Sequence, residues 1–229
     1  MSQTYEFDAI LFDNDGTITD STPGVRAAWL SLGADYGFDA EAAIEGTHGM
    51  RPIDSLRKYC GVDDHEKLVA LVRRFKEAVI EGGPKYLPGA AAMIEQMRKN
   101  APTDRHGWAI VTSATRWYAT RTLERIGFGT PDVLIASSDV SKGKPHPEPY
   151  IAGATSCSVA PEDFSRVLVV EDAVSGVASG KAAGMKVLAV LHTTPRDALQ
   201  AMDADWIVPD LSHVSAEWTD GKVYVTIRG

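Results

Sequence analysis

The chain has 229 residues, enough for one or two ordinary domains, with 44% hydrophobic and 24% charged residues. That mix excludes a disordered tail protein. The longest apolar runs, such as Val187–Leu191 and Val167–Val170, fall far short of the ~20 residues needed to cross a bilayer. Lysine and arginine number 23 against 31 acidic residues, and the resulting charge of −8 argues against nucleic acid as a partner.

Met1–Glu6 is polar and lacks the basic start and small-residue cleavage site of a signal peptide. Cys60 and Cys157 lie almost a hundred residues apart and suggest neither a disulfide framework nor a metal cluster. The expectation is a cytoplasmic protein with no membrane partner. Five short apolar runs follow along the chain: Ala9–Phe12, Trp108–Val111, Val133–Ile135, Val167–Val170 and Val187–Val190. Apolar residues on successive positions predict parallel strands buried on both faces. Amphipathic stretches at about 90–99, 116–126, 147–154 and 174–183 predict helices between them, hence βαβ units. The segment 20–85 has no strand signal, only helical patterns at 25–36, 53–60 and 65–80. Ser21-Thr22-Pro23-Gly24 and Gly82-Gly83-Pro84 bracket it as linkers. The fold predicted is α/β: a Rossmann-like parallel sheet core with helices on both faces (1–19 and 86–229) and an inserted α-helical domain (20–85). Near the end, Thr219-Asp220-Gly221 predicts a turn feeding an alternating edge strand at 222–227.

The candidate chemistry sits where strands end. The first strand runs into Asp13-Asn14-Asp15-Gly16-Thr17, and paired carboxylates beyond a buried strand are costly unless something uses them. Open α/β sheets bind ligands at this end of their strands. Such a pair suits a hard divalent cation with phosphate, one acid serving as nucleophile and the other handling the proton. The second strand ends in Thr112-Ser113, a hydroxyl and amides suited to a phosphate oxygen. The third is followed by Ser141-Lys142-Gly143-Lys144-Pro145, where proline stiffens the backbone at Lys144. The fourth ends in Glu171-Asp172, a second acid pair. Each element also has an ordinary reading as an Asx-turn, a helix N-cap or a solvated basic turn. Their order at the ends of successive strands of one sheet is what points to a site.

These four motifs resemble those of the haloacid dehalogenase superfamily, specifically its phosphatase branch with an α-helical cap, and the match covers nearly the whole chain. The resemblance implies that Asp13 is the nucleophile and Asp15 the general acid/base. It implies that Thr112, the Ser113 amide and Lys144 hold the phosphoryl group. It further implies a Mg²⁺ cofactor bound by Asp13, the Asp15 backbone carbonyl and Asp172, with Glu171 in or beside the coordination shell. Lys144, directly before the proline, fits the family's lysine better than Lys142. Asn14 departs from the apolar residue more usual there. Asp15 argues against dehalogenation.

The cap should decide the substrate. Its candidates are Arg51 for a hydroxyl or phosphate, Trp29 for a sugar face, and His48. The chain is similar to fungal glycerol phosphate and 2-deoxyglucose-6-phosphate phosphatases at Thr17–Thr22, His48–Arg51, Trp108–Thr115 and Gly143–Tyr150. The implied activity is hydrolysis of small polyol or sugar phosphate monoesters by a monomer or weak dimer. The alternative is a phosphosugar mutase of the β-phosphoglucomutase type. Mutases of that type carry a histidine twelve residues after the nucleophile, where this chain has Val25.

Overall fold

The computed structural model describes residues 2–47 and 52–228. It divides into two compact units, Met1–Asp20 with Tyr86–Gly229, and Ser21–Lys85.

The larger unit is built on six parallel strands: β2 (Ala9–Phe12), β5 (Trp108–Val111), β6 (Leu134–Ile135), β7 (Val167–Glu171), β8 (Lys186–Val190) and β9 (Trp206–Val208). Their order is β6-β5-β2-β7-β8-β9. From β2 the chain first steps one way, to β5 and β6, then returns to β7 on the other side. The order therefore reverses at β2 and β7, the point in an open α/β sheet where ligands bind. Five of these strands match the sequence expectation. β9 is an addition, short and at the sheet's edge.

Alternation along the strands gives the sheet two apolar faces. Ile10, Phe12, Ile110, Leu168, Val170, Leu188 and Val190 pack into one core, with α5 (Ala90–Arg98) and α6 (Arg116–Arg125). Ala9, Leu11, Ala109, Val111, Val167, Val169, Val187 and Ala189 pack into the other. That second core includes residues of α7 (Glu148–Ser156), α8 (Val174–Ala182) and α9 (Arg196–Ala201). The parity matters for the site, because Asp13, just beyond β2, and Glu171, the last residue of β7, continue the second series.

A three-stranded antiparallel sheet closes the first core, with β1 (Ser2–Phe7), β10 (Val214–Thr219) and β11 (Lys222–Arg228) in the order β1-β11-β10. Asp220 and Gly221, both at positive φ, form the predicted turn, with Thr219 opposite Lys222. β11 is central rather than the edge strand expected, because β1 pairs along its free side from Ser2–Arg228 to Phe7–Val223. Alternation alone does not distinguish the two positions.

The smaller unit holds α1 (Thr22–Tyr36), α2 (Ala40–Gly46), α3 (Pro52–Cys60) and α4 (His65–Glu81). The two-residue strands β3 (Thr19–Asp20) and β4 (Lys85–Tyr86) mark where the chain crosses between units. The first predicted linker is in fact the opening turn of α1, where Pro23 is tolerated because helix N-terminal amides need no intrahelical partner. Asp39 and Asp64 cap α2 and α4 through amides of their first turns. No helix among the described residues is long and apolar enough to cross a membrane. Both cysteines are buried and free, and burial pushes the Cys157 thiol up to about 12.

Candidate active site

Just beyond β2, the Asp13 amide still donates to Val170 O at 2.9 Å, so the ladder with β7 fixes the backbone there. Asp13 and Glu171 consequently face the same side as Leu11 and Val169. α7 covers that side with fully buried Tyr150. Glu171 and Asp172 are each 1% exposed and Asp13 7%. One carboxylate oxygen from each of the three lies within 4.8 Å of the others.

A single ammonium ties this cluster together. Lys144 Nζ donates to Asp13 Oδ1 at 2.7 Å, Glu171 Oε1 at 2.7 Å and Val111 O at 2.9 Å. It therefore bridges the ends of β2, β7 and β5. Burial alone would lower the lysine's proton affinity, but the two carboxylates outweigh that and hold it raised, so the ammonium stays charged. The loop carrying it is anchored by Glu148, which accepts from the amides of Ser141 and Lys142 and from the Ser141 hydroxyl. Lys142 itself is exposed.

Three buried carboxylates face one ammonium, and the electrostatics follow. Burial pushes the Asp13 carboxyl well up; Lys144 opposes this, while Glu171 and Asp172 reinforce it. Burial and then the Glu171 charge push Asp172 up to about 6. Among the described residues, a cluster of oxygen donors short of positive charge is a fitting seat for a hard cation. Asp172 is oriented by the hydroxyls of Thr17, at 3.2 Å on Oδ1, and of Thr193 on Oδ2. Glu171 is already saturated: Oε1 accepts from Lys144 and from the Tyr150 hydroxyl at 2.8 Å, and Oε2 accepts from the amides of Asp172 and Ala173. Gly16, at φ +93°, is required by this packing, since a Cβ there would stand 2.2 Å from Asp172 Oδ2.

The Asp15 carboxylate lies outside the acid cluster. Its Oδ2 accepts from Asn14 Nδ2 at 3.2 Å and its Oδ1 from the Tyr118 hydroxyl at 3.5 Å. Thr112 is buried at the end of β5, its amide bonded to Ile135 O and its hydroxyl accepting from the Ala114 amide at 3.0 Å. Exposed Ser113 follows it. These two residues do not cap α6, whose N-cap is Thr115, so the ordinary reading as a helix cap fails.

Among the cap candidates, Trp29 needs correction. It is 3% exposed and forms edge contacts with Phe38, Tyr59 and Phe75 at 5.9, 5.9 and 5.2 Å. The ring is the hub of the small unit's own core and has no free face for a sugar. His48 and Arg51 lie outside the described residues. Thr17, Tyr118, Tyr150 and Thr193 escaped sequence reasoning. Only Thr17, inside the first motif, and Tyr150, six residues past Lys144, carried any positional signal.

A model of haloacid dehalogenase-like hydrolases matches residues 7–184. The chain is 36% identical over 207 residues to glycerol-1-phosphate phosphohydrolase 2 of Saccharomyces cerevisiae, covering 87% of this chain and 81% of the relative. It is 29% identical over 224 residues to 2-deoxyglucose-6-phosphate phosphatase 1 of the same yeast, covering 92% and 91%. Among solved structures, a Thermotoga maritima protein assigned as a beta-phosphoglucomutase superposes with a TM-score of 0.72 at 27% identity, covering 87% of this chain and 93% of that one.

Proposed function

The chain belongs to the haloacid dehalogenase-like hydrolases and is a phosphoric monoester hydrolase, and from that premise we propose that it is a Mg²⁺-dependent phosphatase of small polyol or sugar phosphates working through an aspartyl-phosphate. The observation that carries this reading is the Lys144 ammonium bonded at once to Asp13, Glu171 and Val111 O. It gives a buried carboxylate a fixed positive neighbour at the strand ends where phosphate would lie.

In this reading Asp13 attacks phosphorus while Asp15 gives its proton to the departing ester oxygen, yielding the alcohol and phosphorylated Asp13. Asp15, now a carboxylate, takes a proton from water as the water oxygen attacks phosphorus. The P–O bond to Asp13 breaks, phosphate leaves, and Asp15 is again protonated. Thr112 and the Ser113 amide hold the phosphoryl oxygens, and Lys144, its three N–H groups engaged by Asp13, Glu171 and Val111 O, balances their charge from alongside. Asp13, Asp172 and the Asp15 carbonyl would hold Mg²⁺, which supplies further neutralisation of those oxygens when bound. With both oxygens engaged, Glu171 serves chiefly to orient Lys144.

Segment 20–85, inserted directly after the first motif, is read as the cap that selects the leaving group, with Arg51 and His48 as its contacts. Glycerol 1-phosphate and 2-deoxyglucose 6-phosphate, named for the yeast relatives, bracket the substrate class. The mutase alternative has the Thermotoga likeness in its favour and Val25 against it. Phosphate release across glycerol phosphates, 2-deoxyglucose 6-phosphate, hexose phosphates and β-glucose 1-phosphate separates the readings. Release with Mg²⁺, lost in Asp13→Asn, is expected. Isomerisation of glucose 1-phosphate without release would instead establish the mutase.

A further inference from the structure

Asn14 is wholly buried between the two acids of the first motif. A buried carboxamide costs about 1–3 kcal/mol unless its donors and acceptor are met. Here its backbone carbonyl and both side-chain polar atoms are used locally. Its backbone carbonyl accepts from the amides of Ile18 and Thr19 at 2.9 Å each, closing the loop. Its side-chain Oδ1 accepts from the Thr19 hydroxyl at 3.0 Å, which sets the flip of the amide and turns Nδ2 toward Asp15 Oδ2 at 3.2 Å. On the other side, Tyr118 is 8% exposed and presents its hydroxyl to Asp15 Oδ1 at 3.5 Å from the first turn of α6. Each oxygen of one partly exposed carboxylate thus has a buried donor of its own, Asn14 on one and Tyr118 on the other.

We infer that Asn14 and Tyr118 are positioning residues for Asp15, holding its carboxyl in the orientation from which it protonates the leaving oxygen. The inference rests on the reading of Asp15 as general acid. Two donors on two oxygens restrict both side-chain torsions, and small losses of alignment are expensive in proton transfer. An apolar residue at position 14 would fill the space without supplying this constraint.

The experiment compares kcat/KM for an alkyl ester, glycerol 1-phosphate, with that for p-nitrophenyl phosphate. The aryl leaving group departs without help from an acid; the alkoxide does not. General acid catalysis is worth about 10²–10⁴-fold. Tyr118→Phe, which deletes one hydroxyl and keeps the ring, should lose about 10-fold on the alkyl ester, and Asn14→Leu about 10- to 100-fold. Both should stay within about 3-fold of the parent on the aryl ester, whereas the reference variant Asp15→Asn, which also loses the base that activates water, should lose on both esters and more on the alkyl one. Equal losses on the two esters in Tyr118→Phe and Asn14→Leu, beside a selective Asp15→Asn, would overturn the inference and leave the acid reading standing. If Asp15→Asn is itself unselective, the acid reading fails and this inference with it. Should Asn14→Leu not fold, Tyr118→Phe carries the test alone.

Discussion

The Tyr150 hydroxyl donates at 2.8 Å to Glu171 Oε1, the same oxygen that receives Lys144 Nζ at 2.7 Å. A buried phenol, pushed well above its usual range by burial and the adjacent Glu171 charge, is a donor at neutral pH. Tyr150→Phe should therefore cost about 1–2 kcal/mol by removing one hydrogen bond to a buried charge, while Lys144 keeps its place. Chemical denaturation reads this directly. An unmoved midpoint would mean the hydroxyl adds nothing to holding Glu171.

Cation binding should be visible without any turnover. The three-carboxylate cluster predicts that Mg²⁺ raises the melting temperature of chelator-treated protein, by about 2.7 kcal/mol of stability at a hundred times Kd. Asp172→Asn should erase most of that shift. A calorimetric scan that shows the same Mg²⁺ response in the variant would remove Asp172 from the cation's ligands.

Gly176 sits in the first turn of α8, where alanine would ordinarily stabilise a helix by about 1 kcal/mol. Here the sign should reverse. An added Cβ would stand 1.6 Å from Glu171 Oε1, so Gly176→Ala must push Glu171 off Lys144 and Tyr150. The expected result is about 1–3 kcal/mol of destabilisation with a large loss of kcat, followed by thermal melting and initial rates. A stabilised, active variant would show that this packing is looser than described.

At the opposite end of the sheet, Asp8 pairs with Arg166 at 2.7 Å and with Lys222. Burial would raise its carboxyl, but the hydrogen bonds and charges of these two cations outweigh it and hold the group below its usual value. The folded state thus gives up this proton more readily than the unfolded chain. Its stabilisation is full above about pH 4 and disappears as pH falls through the lowered value. Asp8→Asn should cost about 1 kcal/mol at pH 7, modest because both cations are partly exposed, with no difference from the parent below that window. Stability measured against pH in parallel for the two proteins tests it.

What the sequence disclosed follows from how each element is solvated. Strands buried on both faces, such as Ala9–Phe12 and Val167–Val170, print as unbroken apolar runs. β1 escaped because Ser2–Phe7 is an edge strand, mostly exposed and polar. β9 has only three residues and follows Asp205, which is occupied with Lys181 and Lys186. The short helices α2 and α9, seven and six residues, are too brief to show a period. In the site, Asp13, Lys144, Glu171 and Asp172 were legible because charged residues beyond apolar strands are conspicuous. Thr193 and Tyr118 were not: hydroxyls are common, and topology rather than spacing brings them to Asp172 and Asp15. Trp29 misled for a similar reason. An aromatic residue on a helix reads alike whether it awaits a ligand or three other rings.

The pairing of β11 between β1 and β10 bears on how the chain is made. Ribosomes make β1 before β11, so Ser2–Phe7 must wait for its partner, more than two hundred residues later, before its ladder can form. Until β11 is made, the backbone groups of Ser2–Phe7 lack their ladder partner and are open to wrong ones. Pairing of β11 then works as a clasp across the first core.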